Sequence, residues 1–350
     1  MKTFSFFLLF ALVTLWGCKR MALGPAEENT PQNNFELFWD DYDKHSAIIF
    51  TKNINWDSVY TVYQPQVRPT TSEEELWRIF TEMIEVFDDE HTSLENPETE
   101  EFYVSGSHQI EAAIEAFSKE LIEREYLEFV HTIDTMRAPE MSYGKILNKH
   151  IGYIHIGDTD GYGPIELMDD ILSDIGQLKA IIFDVRNNPG GRGDFANAIT
   201  AAFAEETKAI FSNQTRNGPG YNDFDEKTFF FNTNDEVNQY LKPVIVLTDK
   251  FSVSGAEHIT LYLKSNSHVT HIGDTTAGAF SSTSNQRFLP NGWYYKYPAQ
   301  NSLTPEGISL DGKGLVPDVL AINTKADIEA GRDVVLERAI QYLFETYNIE

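Results

Sequence analysis

Two short stretches constrain this chain more than any others. An apolar run, Ala180 to Phe183, leads straight into Asp184-Val185-Arg186-Asn187-Asn188-Pro189-Gly190-Gly191. A second apolar run, Val244 to Leu247, leads to Ser254-Gly255-Ala256-Glu257, with Ser254 lying 63 residues after Gly191. Short continuous apolar runs of this kind read as strands buried on both faces. The first then ends in a turn whose glycines leave backbone N–H groups open, and the second sets a hydroxyl at the start of a helix. A nucleophile on a strand-to-helix turn, with N–H donors from a separate glycine-rich loop, is what acyl-transfer chemistry needs. The pair predicts a hydrolase.

Ser254 also has a plainer reading. Ser254 and Glu257 have the S-x-x-E form of a capping box, which could do no more than start a helix. The two roles are compatible, because a nucleophile at a helix N-terminus gains from the positive end of the dipole. Gly255 favours the chemical role: a residue without Cβ lets its N–H face a reacting carbonyl.

Bulk properties narrow the partners. The 350 residues can hold one large domain or two, and 41% hydrophobic with 13% aromatic residues is enough for a packed core. With 54 acidic against 27 basic residues, the formal charge of −27 argues against nucleic acid or anionic lipid as a partner. The chemistry calls for no cofactor and no metal ion.

The amino terminus has its own logic. Lys2 precedes an apolar segment, Phe4 to Leu15, and Leu15-Trp16-Gly17-Cys18 places a small residue before the only cysteine. The segment is too short for an ordinary membrane span. It resembles a bacterial lipoprotein signal over 1–17, with Cys18 lipidated and 18–34 a Pro-, Glu- and Asn-rich tether. That places the protein in the bacterial cell envelope, lipid-anchored and facing the periplasm. A plain cleaved signal, or a short anchor with an incidental cysteine, is the alternative.

Beyond the tether, residues 35–95 read as a small helical module. Phe35, Phe38, Trp39 and Tyr42 keep helical spacing. So do Leu76, Ile79, Phe80, Met83, Ile84 and Phe87, behind a capping box at Ser72 and Glu75. Residues 96–144 form a connecting segment, helix-like over 114–129 and without an assigned role. From 145 to 350 strands alternate with helices, which predicts a layered α/β catalytic domain. Residues 213–232 read as a loop or hairpin at the edge of the site, and a closing helix carries Leu336, Ala339, Ile340 and Leu343. Of nine histidines, spacing alone does not separate His91, just past the second helix, from His258 or His271.

Taken together, Asp184 to Gly191, Thr248 to Glu257, Gly273 to Ala279 and Asp311 to Val319 resemble the tail-specific and carboxy-terminal processing serine peptidases. That family includes the tricorn core and the interphotoreceptor retinoid-binding repeats. The likeness implies a crotonase-like, ClpP-like α/β fold and Ser254 as nucleophile; a PDZ domain, common in that family, is not expected here, because residues 100–145 are too short for one. It implies an oxyanion hole from Gly255 with Gly190 or Gly191. One departure bears on mechanism. The processing branch carries its basic lysine in a T-F-G-K-G motif, where this chain reads Thr276-Ala277-Gly278-Ala279. The tricorn-like branch instead draws on an earlier histidine, matched here by Asp89-Glu90-His91, with an acid to orient it. Asp311 stands where the related branch carries that acid, and Glu306 is the second choice. The expected activity is endopeptidase cleavage of extended peptides or unfolded proteins; a catalytically idle or ligand-binding relative is the other class.

Overall fold

The computed structural model describes residues 27–350 apart from 107–109, 134–139, 162–165, 221, 232–238 and 282. Residues 1–17, read above as resembling a lipoprotein signal, and Cys18 lie outside the described residues. Fourteen strands, β1 to β14, form three sheets among the described residues. The largest has seven strands in the order β14-β10-β9-β6-β5-β4-β3, with the two-residue β14 (Val319–Leu320) at one edge. Its centre is parallel: β5 (Ile151–Ile156), β6 (Ala180–Asp184), β9 (Val244–Thr248) and β10 (Val269–Gly273). Every residue of β5, β6 and β9 is buried, because helices cover both faces of the sheet.

On one face, helices Glu166–Ile175, Gly193–Thr200 and Gly255–Lys264 bury a core that includes Ile171, Phe183, Phe203, Val246 and Ile259. On the other, helix Val334–Tyr347 packs Leu336, Ala339 and Leu343 against Ile182, Ile245 and Leu247. The layered α/β architecture is as the alternation requires.

The segment before residue 145 departs from expectation. Residues 114–129 do not form one helix: short helices Glu111–Glu115 and Lys119–Glu125 are followed by β3 (Leu127–Thr132). Antiparallel pairing of β3 with β4 (Met141–Ile146), and of β4 with β5, extends the large sheet. The strand signal at 127–132 was masked by burial of one residue only, with the rest half or fully exposed. The stretch read as a loop or hairpin contributes the end of β7 (Lys208–Arg216) and β8 (Phe224–Phe231), which pair antiparallel; residues 221 and 232 lie outside the described residues.

The helical module is stapled to the core by strands from late in the chain. Helices Pro31–His45 and Glu73–Glu85 stack Phe38 on Phe80 at 4.3 Å, and the Ser72–Glu75 capping box forms with both bonds, at 2.9 and 3.2 Å. After the second helix, β1 (Ser93–Asn96) pairs with β12 (Tyr294–Pro298) as well as with β2 (Glu101–Val104). Strand β12 runs on into β13 (Gln300–Leu303), which pairs with β7. His91, two residues before β1, is thereby carried to the α/β core. Among the described residues no helix is long and apolar enough to cross a membrane.

Candidate active site

Ser254 caps helix Gly255–Lys264 with φ 50° and ψ −106°, a conformation that costs a residue with Cβ about 1–3 kcal/mol. Neighbouring bonds hold it there. The fully buried Glu257 carboxylate accepts the N–H of Ser254 at 3.1 Å, the Thr276 hydroxyl at 2.6 Å, and the N–H groups of Gly278 and Ala279, each at 2.8 Å. Burial pushes this carboxyl up to about 8, against those four donors. The capping reading of Glu257 is therefore correct and incomplete: it ties the serine turn to the loop 276–279. Ala279, where the processing branch has lysine, is buried.

A second set of bonds joins this turn to the glycine-rich one. Asp249 accepts the N–H of Asn187 at 3.0 Å and of Phe251 at 2.9 Å, while Val253 N–H donates to Asn188 O at 3.0 Å. Ser252 donates its hydroxyl to Val185 O at 2.8 Å. Gly190 meets the serine turn so closely that a Cβ on it would fall 2.7 Å from both Ser254 Cβ and Val253 O. Its φ of 98° and that of Gly191, 130°, also require glycine.

The two glycines differ as donors. Gly190 N–H is taken by Asn188 Oδ1 at 2.7 Å, so it cannot serve as an oxyanion donor. Among the described residues no bond takes the N–H of Gly191, which is exposed, or that of Gly255 at the helix start. These two face each other across the turns: a Cβ on Gly255 would fall 3.1 Å from Gly191 N.

His91 stands in a turn after helix Glu73–Glu85, with its Nδ1 buried and unbonded among the described residues. The turn is fixed by Thr92, which donates its hydroxyl to Asp89 at 2.8 Å, and by Lys52, whose ammonium donates to the carbonyls of Phe87 at 2.6 Å and Asp88 at 2.5 Å. Burial lowers His91 to about 4, with the negative charge of Asp311 opposing the shift. The imidazole is neutral at pH 7.

Asp311 is buried and held above the usual carboxylate range by desolvation; its interaction with His91 works in the other direction. Its oxygens accept the N–H groups of Phe280 and Ser281, each at 2.8 Å, and the Ser281 hydroxyl at 2.5 Å. It acts on His91 through charge. Glu306, the second choice, is exposed in the turn after β13 and is not among the charges that shift His91.

The other histidines separate clearly. His271 is tied up with the Thr248 hydroxyl at 2.6 Å, inside the sheet. His258 is packed between Phe211, at 5.0 Å, and Phe280, at 5.6 Å, with neither ring nitrogen bonded among the described residues. Burial and then the nearby His91 lower it to about 4. Spacing alone does not separate His258 from His91; Phe211 and Phe280 carry no signal in the sequence, since their part depends on how β7 and the loop after Ala279 fold over the helix. Of the lysines, Lys264 pairs with Asp318 at 2.6 Å, and Lys313 is exposed. Among the described residues no cluster of ligating side chains could hold a metal ion.

Residues 150–321 match the profile of peptidase family S41, and residues 28–85 match the tricorn protease C1 domain. A carboxy-terminal-processing protease of Bartonella bacilliformis is 32% identical over 162 residues, 46% of this chain and 35% of its own length. The processing protease CtpA of Bacillus subtilis is 29% identical over 184 residues, 52% of this chain and 37% of the other. The chain thus spans little more than a third of these relatives. A proposed peptidase from Parabacteroides merdae superposes with a TM-score of 0.79 at 28% identity, covering 90% of this chain and 97% of that one. The tricorn protease shares the fold, with a TM-score of 0.52 at 16% identity over 90% of this chain and 36% of the other.

Proposed function

Because the chain belongs to peptidase family S41, matched over its α/β core, we propose that it is a serine endopeptidase that cleaves extended peptides or unfolded proteins through an acyl-enzyme on Ser254. The observation that carries this reading is the meeting of Ser254 with two N–H groups unclaimed among the described residues, Gly191 and Gly255, on turns bolted together by the Asp249 carboxylate and the Asn188 carbonyl. His91 takes the serine proton and returns it to the leaving amine. Its neutral state suits it to the first step, and the Asp311 charge stabilises the imidazolium that follows. Gly191 and Gly255 hold the oxyanion.

The protein acts in the bacterial envelope, tethered through lipidated Cys18 and facing the periplasm, so membrane contact is through the anchor and no nucleic acid is involved. Support for this comes from Leu15-Trp16-Gly17-Cys18 and the charge of −27. A catalytically idle relative is the second reading; it draws on the saturation of Asp311 by Phe280 and Ser281. A serine-directed fluorophosphonate separates the two. Labelling that is lost in Ser254→Ala supports the peptidase, and an unlabelled wild-type protein supports the idle relative.

A further inference from the structure

Thr159 lies three residues beyond the end of β5, in a stretch that no motif marks. Its side chain is fully buried, and its hydroxyl has no hydrogen-bond partner among the described residues. An unpaired buried hydroxyl costs stability, so its presence here needs a reason.

Its surroundings supply one. The main chain of Thr159 grips the glycine-rich turn on both sides: its N–H donates to Gly190 O at 2.9 Å, and its carbonyl accepts from Arg192 N–H at 3.1 Å. Gly191, the residue between, is held by these two bonds while its own N–H stays free. The hydroxyl meanwhile sits against the other turn. A Cβ on Gly255 would fall 2.1 Å from Thr159 Oγ1, and that same point is 3.1 Å from Gly191 N. One side chain therefore fills the gap between the two donors assigned to the oxyanion hole.

We propose that Thr159 is a positioning residue for the oxyanion hole: its main chain fixes Gly191, and its hydroxyl sets the distance of Gly255 from it. The inference rests on the reading of Ser254 as nucleophile. Oxyanion donors must lie within about 2.7–3.1 Å of the developing charge, so displacements of a few tenths of an ångström matter. Oxygen is the smaller of the two groups that could occupy this contact; a methyl in its place pushes Gly255 away. The β-branched skeleton allows little rotation to avoid that push.

The experiment is the kinetics of fluorophosphonate labelling, in which the phosphoryl oxygen takes the oxyanion's place, for wild type, Thr159→Val and Thr159→Ser. Valine keeps the shape and loses the oxygen; serine keeps the oxygen. We expect Thr159→Val to lower the maximal labelling rate by roughly 10–100-fold with little change in the half-saturating concentration, and Thr159→Ser to restore most of it. Should Thr159→Val not fold, Thr159→Ala removes the spacer without adding bulk and is expected to lose rate in the same way. Wild-type rates in Thr159→Val or Thr159→Ala, or a Thr159→Ser rate as low as that of Thr159→Val, overturn the inference while leaving Ser254 in place. No labelling of the wild-type protein removes the Ser254 reading and this inference together.

Discussion

The N–H of Ser254 donates to the Glu257 carboxylate across 3.1 Å, and the same carboxylate holds the loop carrying Gly278 and Ala279 at 2.8 Å. A strained serine is thus kept in place by a buried acid three residues on, which also anchors the wall on which Asp311 acts. Glu257→Gln keeps the shape and replaces one acceptor oxygen by a donor. The N–H groups left facing it each cost about 1–3 kcal/mol. The expected outcome is a lower denaturant midpoint together with slower fluorophosphonate labelling; a variant with wild-type values for both contradicts the role.

Ser254→Ala removes the nucleophile but not the backbone bond to Glu257. Loss of side-chain capping costs at most about 1–2 kcal/mol. Calorimetry should show a nearly unchanged melting temperature, while labelling and peptide hydrolysis vanish.

The pH dependence follows from His91. An unperturbed imidazole would give a step in activity at roughly 6 to 7, and burial moves this one down to about 4. The folded state binds the proton less well than the unfolded chain, so His91 contributes stability that is complete above about 6.5 and lost as the pH falls towards 4. The labelling rate should therefore be flat from neutral pH down to about 5.5 and fall through a single step near 4. A step above pH 8 points to lysine instead.

Much of this was readable in advance, for a physical reason. Strands β6 and β9 are continuous apolar runs, and Gly190 and Gly191 stand where positive φ is required, so sequence and geometry coincide at those places. Long-range neighbours were not readable. Nothing near Gly190 tells that Asn188 takes its N–H, or near Asp311 that Ser281 takes its oxygens. Strand β3 escaped because five of its six residues are not buried, leaving no clean alternation. Thr159 carried no signal at all, since its part depends on two turns meeting at one point.

Lys52 supports the His91 turn from the side. Its ammonium donates to the carbonyls of Phe87 and Asp88, and its Cε lies 2.9 Å from where a Cβ on Gly312 would stand. Lys52→Met keeps the packing and loses both bonds, about 1–3 kcal/mol in all. Activity should fall on warming before the global melting transition. Parallel loss of activity and structure would contradict a local role.

Cys18→Ser tests the tether. The variant should move from the membrane fraction to the soluble periplasmic one on cell fractionation. Unchanged membrane association would make the apolar segment itself the anchor.

The central claim is that His91 activates Ser254. The most direct measurement is intact-mass and peptide-mapping analysis of fluorophosphonate adducts, timed for wild type, His91→Ala, Lys264→Ala and Lys296→Ala. A single adduct on Ser254 is expected, formed about 10²–10⁴-fold more slowly in His91→Ala and at nearly the wild-type rate in both lysine variants. A His91→Ala protein that labels as fast as wild type, or an adduct on any other residue, would contradict it.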